Sequence, residues 1–150
     1  MRRVRRIAVT ADIGTKAYTA SDVVGGLTTF AITDQGFDGQ LSSVLVTDAA
    51  AQGEAYTLYF FEAEPSAIAD DAAWAPTLAD LKKLVTTVVV GTVDYSHGGS
   101  VALLGEHEDA EMRVPLHSDS GNLYMYAVAT ATPDYAAVTD LVFTATVEVF

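Results

Sequence analysis

The sequence predicts an all-β fold in which two antiparallel sheets pack as a sandwich or a jelly roll. Half of the 150 residues are hydrophobic (50%), and the chain is rich in Val, Ala, Thr and Tyr, a composition that favours strands over helices. Several segments alternate between apolar and polar residues, or form short apolar runs between turn residues. A chain of this length is expected to form one domain, and it buries enough surface to fold without disulfides.

Seven segments carry the strand pattern. The clearest is the last, in which Leu141, Phe143 and the alternate residues after them fall on one face. We expect Gly91 to mark a bulge, and Pro115 to mark an edge strand or a bend, because proline cannot donate to a central ladder. The spacing of the turns fits a sandwich or jelly roll better than alternating strands and helices. The segments are residues 27–33, 41–48, 55–61, 85–95, 111–117, 122–131 and 140–150.

A helical insertion at about residues 66–85 interrupts the strands. The segment TLADLKKLV, residues 77–85, predicts a short helix that Thr77 caps, with Asp80 reaching back in a capping box. Such a helix is suited to covering an exposed sheet edge. The residues expected on its apolar face are Leu78, Leu81, Leu84 and Val85.

The charge of the chain is unevenly distributed. The net charge is −12, yet half of the eight basic residues are Arg2, Arg3, Arg5 and Arg6. Residues 7–150 therefore set four basic residues against 20 acidic ones, a charge of −16. We predict an extended basic N-terminal arm, residues 1–16, and a single β-sandwich domain, residues 17–150.

The two parts of the chain suit different partners. The acidic body repels nucleic acid and anionic membranes, and no apolar run approaches the roughly 20 residues of a membrane span. The arm can meet an acidic protein surface, or RNA or DNA, or it can be a solvated, frayed terminus. The apolar run after the arginines is too short for a secretion signal, so we expect synthesis in a cytoplasm.

The sequence contains no recognisable motif of a catalytic or metal site. Without cysteine there is no disulfide, thiol nucleophile or thiolate ligand. The acidic segment 105–111 can hold a hard cation through oxygen ligands, but it lacks the layout of a calcium loop, and a solvated loop is the preferred interpretation. No Gly-x-Ser-x-Gly elbow accompanies the serines and histidines, so we expect neither enzyme activity nor a cofactor. The candidate residues for such sites are His97, His107, His117, Ser96, Ser118 and Asp119.

Three stretches carry a resemblance to a known group of proteins. They are AYTASDVVGG (17–26), LYFFEAEPSAIADDAAWAPTLADLKKLV (58–85) and NLYMYAVATATPDYAAVTDLVFTATVEV (122–149). Together they resemble small structural proteins of tailed-bacteriophage virions, some of which look like capsid decoration, or cement, proteins. The resemblance covers most of the chain beyond residue 17 and leaves out the first six residues.

The resemblance implies a role in the virion. The protein would sit on the outer capsid surface after synthesis in the host cytoplasm, bind the major capsid protein, stabilise the head, and associate with itself, as a homotrimer. Arg2, Arg3, Arg5 and Arg6 would contact acidic capsid residues. Trp74 is either a subunit contact, as tryptophan often is, or a core residue. The alternatives are a tail- or fibre-associated structural protein, and a host-surface glycan-binding module that exposes tyrosine and tryptophan.

Overall fold

The chain folds as two antiparallel β-sheets packed face to face. The computed structural model describes residues 2–105 and 112–150. Within them lie ten strands, one short α-helix, α1 (Leu78–Leu81), and a 3-10 turn (Thr92–Asp94). The strands are β1 (Arg3–Thr10), β2 (Val23–Ala31), β3 (Phe37–Asp48), β4 (Tyr56–Phe61), β5 (Leu84–Val90), β6 (Tyr95–Ser96), β7 (Val101–Leu104), β8 (Val114–Ser118), β9 (Asn122–Ala129) and β10 (Leu141–Val149).

The order of the strands is that of a jelly roll. The larger sheet runs β1-β10-β3-β7-β6, with β8 also paired to β3, and the smaller sheet runs β2-β9-β4-β5. The first strand therefore lies beside the last, and the second lies beside the ninth, as in nested Greek keys. This confirms the predicted all-β, two-sheet fold.

The core lies between the two sheets. On β10 the alternate residues Leu141, Phe143, Ala145 and Val147 are each fully buried, as their spacing predicted. They meet Leu58 and the other inward-facing residues of the smaller sheet in one continuous cluster. Burial of this apolar surface is the main force holding the sheets together.

The seven predicted strand segments correspond to β2, β3, β4, β5, β8, β9 and β10. Pro115 lies in β8, which pairs on one side with β3 among the described residues, in agreement with the predicted edge. Gly91 is not a bulge, because β5 ends at Val90 and the Gly91 N–H donates to Asp94 Oδ2 (2.7 Å) to begin the 3-10 turn. A bulge lies instead in β2, where Gly25 adopts a positive φ of 85°.

The predicted N-terminal arm needs correction. Its residues 3–10 form β1, which pairs antiparallel with β10 from Arg3–Val149 to Thr10–Val142. Ala11 and Ile13 then enter the core, with 2% and 3% of their surface exposed. The boundary at residue 16 therefore does not separate an arm from the sandwich. The segment was assigned to an arm because of its clustered arginines. Its alternate apolar residues, Ile7 and Val9, pack against the core as those of a strand do.

The predicted helix is also shorter than expected. The capping box of Thr77 and Asp80 is present, but α1 is a single turn, because Leu84 already belongs to β5 and pairs with β4. Leu78 is 73% exposed and Leu81 is 40% exposed, so only Leu84 and Val85 of the predicted apolar face pack against the hydrophobic clusters. Strand pairing at Leu84 overrides the local helical spacing. In the described residues no helix is long and apolar enough to cross a membrane.

Candidate functional site

The basic residues predicted for the arm lie along one edge of the larger sheet. Strand β1 pairs with β10 on one side, and no described strand pairs with it on the other. Arg5 lies opposite Val147, a buried core residue, whereas Arg6 lies opposite Thr146 on the outer face. Since side chains alternate along a strand, Arg3 and Arg5 share the inner face and Arg6 lies on the outer one.

The inner face of β1 forms one wall of a depression with a volume of about 660 Å³. Arg3 and Arg5 line this wall, and the loop at residues 32–36 lines the opposite one. Val149 and Phe150 also border it, so cationic groups lie next to an apolar surface. We call this concavity the arginine depression. Asp34 and Asp38 also line it, so two carboxylates lie in the same concavity as the two guanidinium groups.

The arginines differ in their pairing. The Arg2 guanidinium lies 3.7 Å from the Glu148 carboxylate and 5.2 Å above the centre of the Phe150 ring. No salt bridge joins Arg3, Arg5 or Arg6 to a carboxylate within residues 2–105 and 112–150. In a chain of net charge −12, unpaired arginines on one exposed strand are the clearest feature that calls for an external partner.

Trp74 lies away from the arginines, on the outer face of the smaller sheet. Its ring stacks on Tyr59 at 4.5 Å between centroids, with an interplanar angle of 28°. Tyr126 lies 5.3 Å away and Phe61 6.4 Å away. These four side chains belong to a second hydrophobic cluster, which we call the aromatic cluster. Trp74 is half-buried, so most of its contact surface is used within the chain.

The predicted insertion is held by a buried carboxylate. Asp80, with 3% of its surface exposed, accepts hydrogen bonds from Ser66 N (2.8 Å), Ser66 Oγ (3.1 Å) and Thr77 Oγ (2.8 Å). Hydrogen bonds from the Ser66 backbone, followed by that from Thr77, lower the Asp80 pKa to about 2. Tyr126 extends the network by donating from its hydroxyl to Ser66 O (2.7 Å). The helical turn is thus tied to the start of the insertion, and that start is tied to the smaller sheet through Tyr126.

The part of the insertion that covers a sheet edge is extended chain and not the helix. Val23 N donates to Ala72 O (2.8 Å), and Trp74 N donates to Ser21 O (2.8 Å), so the segment runs along the start of β2. Asp70, in the same segment, accepts a hydrogen bond from the Tyr18 hydroxyl (2.9 Å). Edge protection was expected from the helix, but the chain before the helix provides it.

A cluster that the sequence did not predict surrounds His117. Its Nδ1 lies 2.7 Å from Asp38 Oδ1 and its Nε2 lies 2.9 Å from Asp119 Oδ1. The Glu62 carboxylate accepts from the His117 backbone N–H at 3.3 Å. Hydrogen bonds that the His117 ring donates to Asp38, then to Asp119, raise the His117 pKa above its ordinary value. Only the pairing of β3 with β8 brings Asp38 beside His117, so spacing along the chain carried no signal.

Replacing Asp38 with asparagine is expected to lower the pKa of His117, because the largest cause of its elevation is removed. The ion pairs of protonated His117 with its two carboxylates stabilise the fold. This stabilisation is fully present below the pKa of His117 in the unfolded chain, near 6.5, and it is lost as pH rises through the pKa of His117 in the folded protein. An NMR titration of the His117 ring protons measures the change, with Asp34→Asn as a control on a neighbouring exposed residue. An unchanged titration midpoint in Asp38→Asn would contradict the assignment.

Two of the candidate catalytic residues lie within hydrogen-bond distance of each other in the described part of the chain. Ser96 Oγ lies 2.9 Å from His97 Nδ1, and both residues are exposed, at the end of β6 and the start of the turn that follows it. Ser118 is buried and donates to Asn122 O (2.8 Å). Within the described ranges no group of three or more histidine, aspartate or glutamate side chains is arranged to hold a metal ion. Of the acidic segment 105–111, residues 106–111, including His107, lie outside the described residues.

Comparison with known proteins adds little at the level of sequence. No known protein family matches the chain, and no curated protein matches it. Among solved structures it is similar to VP1 of trichodysplasia spinulosa-associated polyomavirus in complex with sialylated glycooligomers, with a TM-score of 0.47, 7% identity, and coverage of 99% of this chain and 93% of that one.

Two further similarities come from a plant virus and a bacterium. The structure of tomato aspermy virus gives a TM-score of 0.41 at 9% identity and covers 99% of this chain and 76% of that one. The K1 adhesin domain of Lys-gingipain from Porphyromonas gingivalis gives 0.32 at 9% identity, covering 100% and 98%. At identities and TM-scores this low, the likeness carries no information about ligand or partner.

Proposed function

We propose that the protein is a structural component of a bacteriophage virion that binds the outer surface of the major capsid lattice and stabilises the head. The observation that carries the proposal is the exposed basic strand β1 on an otherwise strongly acidic body. The resemblance of residues 17–26, 58–85 and 122–149 to small phage virion proteins supports it. So does the jelly-roll strand order, an architecture found in viral capsid domains as well as in lectins, although a fold alone does not fix a function.

The proposed mechanism is physical. Each copy contacts neighbouring capsid subunits, and surface that is buried only in the assembled shell stabilises that shell by mass action. Arg3, Arg5 and Arg6 supply bidentate, charge-assisted contacts to acidic residues of the capsid protein. Exposed ion pairs are screened by salt, so binding weakens as ionic strength rises. A homotrimer at local symmetry axes of the lattice would place three such strands around each axis.

A non-catalytic role is part of the proposal. Both ring nitrogens of His117 face carboxylates, Nδ1 that of Asp38 and Nε2 that of Asp119. That arrangement leaves neither nitrogen directed at a hydroxyl nucleophile.

Co-sedimentation with capsids that lack the protein tests the proposal. We expect saturation at a fixed ratio of copies to major capsid subunits, and retained binding to empty capsids. Failure to bind capsids would overturn capsid decoration. Binding to tail tubes or baseplates would then indicate the tail alternative, and binding to host polysaccharide would indicate the glycan alternative.

Neutralising the arginines tests the contact surface. The variant with Arg2, Arg3, Arg5 and Arg6 all changed to Gln is expected to lose capsid occupancy at physiological salt, because its cationic donors are removed. Substitution is preferable to deletion, since residues 3–6 form half of β1 and their removal would unpair the end of β10. The control is Lys82→Gln with Lys83→Gln at the far side of the fold. Undiminished occupancy in the arginine variant would contradict a role for β1.

A further inference from the structure

The outer edge of β1 presents unpaired backbone groups. Ala11 N donates to Leu141 O at 2.9 Å, which fixes the direction of alternation along the strand. In an antiparallel ladder, successive residues point their backbone groups to opposite sides. The backbone groups of Arg3, Arg5, Ile7 and Val9 therefore face β10, and those of the intervening residues, Val4, Arg6, Ala8 and Thr10, face outward.

Nothing in the described residues covers this edge. Strand β1 has β10 as its sheet partner, and no described loop forms a backbone hydrogen bond with residues 3–10. The strand is long for an edge, with eight residues, and Val4 on it is 64% exposed. Such an edge is a template for another strand, and natural proteins commonly blunt it with charge.

The charges on β1 discriminate between incoming strands. Arg3 and Arg5 flank the edge on its inner face, and Arg6 flanks it on its outer face. A second copy of β1 offers no carboxylate to pair with Arg3 and Arg5, and registers that set its arginines opposite one another are unfavourable. A strand with carboxylates at alternate positions would instead place them beside Arg3 and Arg5, over the arginine depression.

We propose that the free edge of β1 binds an extended acidic segment of another protein by adding it to the larger sheet as a new strand. Backbone hydrogen bonds to Val4, Arg6, Ala8 and Thr10 supply the affinity, and Arg3 and Arg5 select alternating carboxylates. The inference deepens the proposed function by naming how a capsid segment would dock, and it rests on that function only for the identity of the partner. Nucleic acid is disfavoured, because the body carries −16 from residues 7–150.

A peptide titration tests the proposal without capsids. The probe is a short, blocked peptide in which glutamate alternates with valine, added to the full chain labelled with ¹⁵N at low salt. We expect protection from hydrogen exchange at the amides of Val4, Arg6, Ala8 and Thr10. The amides of Arg3, Arg5, Ile7 and Val9, which already bond β10, should change little. Protection of neither set, or chemical-shift changes confined to the arginine side chains, would overturn strand addition.

Matched probes separate backbone pairing from simple charge attraction. The same peptide N-methylated at its valine amides, which face β1 when glutamate lies opposite Arg3 and Arg5, keeps its charge but loses the donors to β1, and it should not bind. The peptide with lysine in place of glutamate should also fail. Equal binding of the methylated peptide would overturn the proposal in favour of ion pairing, and tighter binding of a single-stranded oligonucleotide would overturn it in favour of nucleic acid.

Charge reversal tests selection by the inner-face arginines. Arg3→Glu with Arg5→Glu is expected to weaken peptide binding by about tenfold or more, since two cross-strand attractions become repulsions. Lys82→Glu with Lys83→Glu makes the same change in net charge elsewhere and should leave binding within about twofold. If both variants bind the peptide equally weakly, the net charge of the protein controls binding. That result would overturn the selection of carboxylates by the arginines of β1. Unchanged binding in both would overturn it as well.

The outcomes distinguish the two proposals. If the peptide binds and protects the outward amides while capsids do not bind, the docking mode stands and capsid decoration fails. If capsids bind but no peptide protects those amides even at millimolar concentration, decoration stands and strand addition fails.

Discussion

Replacing Trp74 with alanine is expected to lower the free energy of unfolding by about 2–3 kcal/mol. The indole stacks on Tyr59 and also contacts Phe61 and Tyr126, so its removal takes away the largest side chain of the aromatic cluster. The value lies below that of a fully buried tryptophan, because Trp74 is only half-buried. Chemical denaturation followed by tyrosine fluorescence or circular dichroism measures the change.

The control for Trp74 is Val93→Ala. Val93 is 92% exposed, so losing its methyl groups should change stability by no more than about 0.5 kcal/mol. If Trp74→Ala is as stable as the wild type, its packing role is wrong. If a folded Trp74→Ala variant also loses capsid binding while Trp74→Phe keeps both properties, the residue serves the interior and an interface together.

Replacing Asp80 with alanine is expected to lower Tm by roughly 10 °C, which is among the largest effects of any polar substitution here. The change removes the acceptor for Ser66 N, Ser66 Oγ and Thr77 Oγ and leaves those donors unsatisfied. The anchored end of the insertion then loses its link to the capping box. Differential scanning calorimetry measures the shift, and Asp12→Ala, at an exposed carboxylate, is the control.

The lowered pKa of Asp80 predicts that the stability of the fold depends on pH. The folded pKa of this carboxyl group, about 2, lies below the ordinary value of 3.8, so its contribution to stability is present above the unfolded pKa and is lost as pH falls through the folded value. The difference in Tm between the wild type and Asp80→Asn should therefore shrink between about pH 4 and pH 2. A difference that stays constant across this range would show that the charge of Asp80 does not stabilise the fold.

Much of the fold could be predicted from periodicity. On β10, period-two alternation identified Leu141 and Phe143 as core residues, and both are fully buried. The capping box of Thr77 and Asp80 was also correct, because it depends on contacts within one turn. The length of the helix was not, since β5 gains more from pairing with β4 than Leu84 gains from a helical turn.

The candidate site, too, could be predicted from the sequence only in part. The sequence identified the basic cluster by its composition alone, but it assigned Arg3 and Arg5 to a free arm. Pairing with β10 turns them into one wall of the arginine depression and leaves one backbone edge open. The cluster of Asp38 and His117 had no signal at all, because these residues are far apart in sequence and meet only through the pairing of β3 with β8.

The sequence by itself determined the all-β class, the positions of most strands, the capped turn and the separation of positive from negative charge. Each of these depends on the identity of residues within a few positions of one another. The tertiary structure decided that the basic segment is an edge strand, that Trp74 packs on the smaller sheet, and that His117 lies between two carboxylates. Those features arise from contacts between distant segments, which form only when burial of the shared core fixes the order and register of the strands.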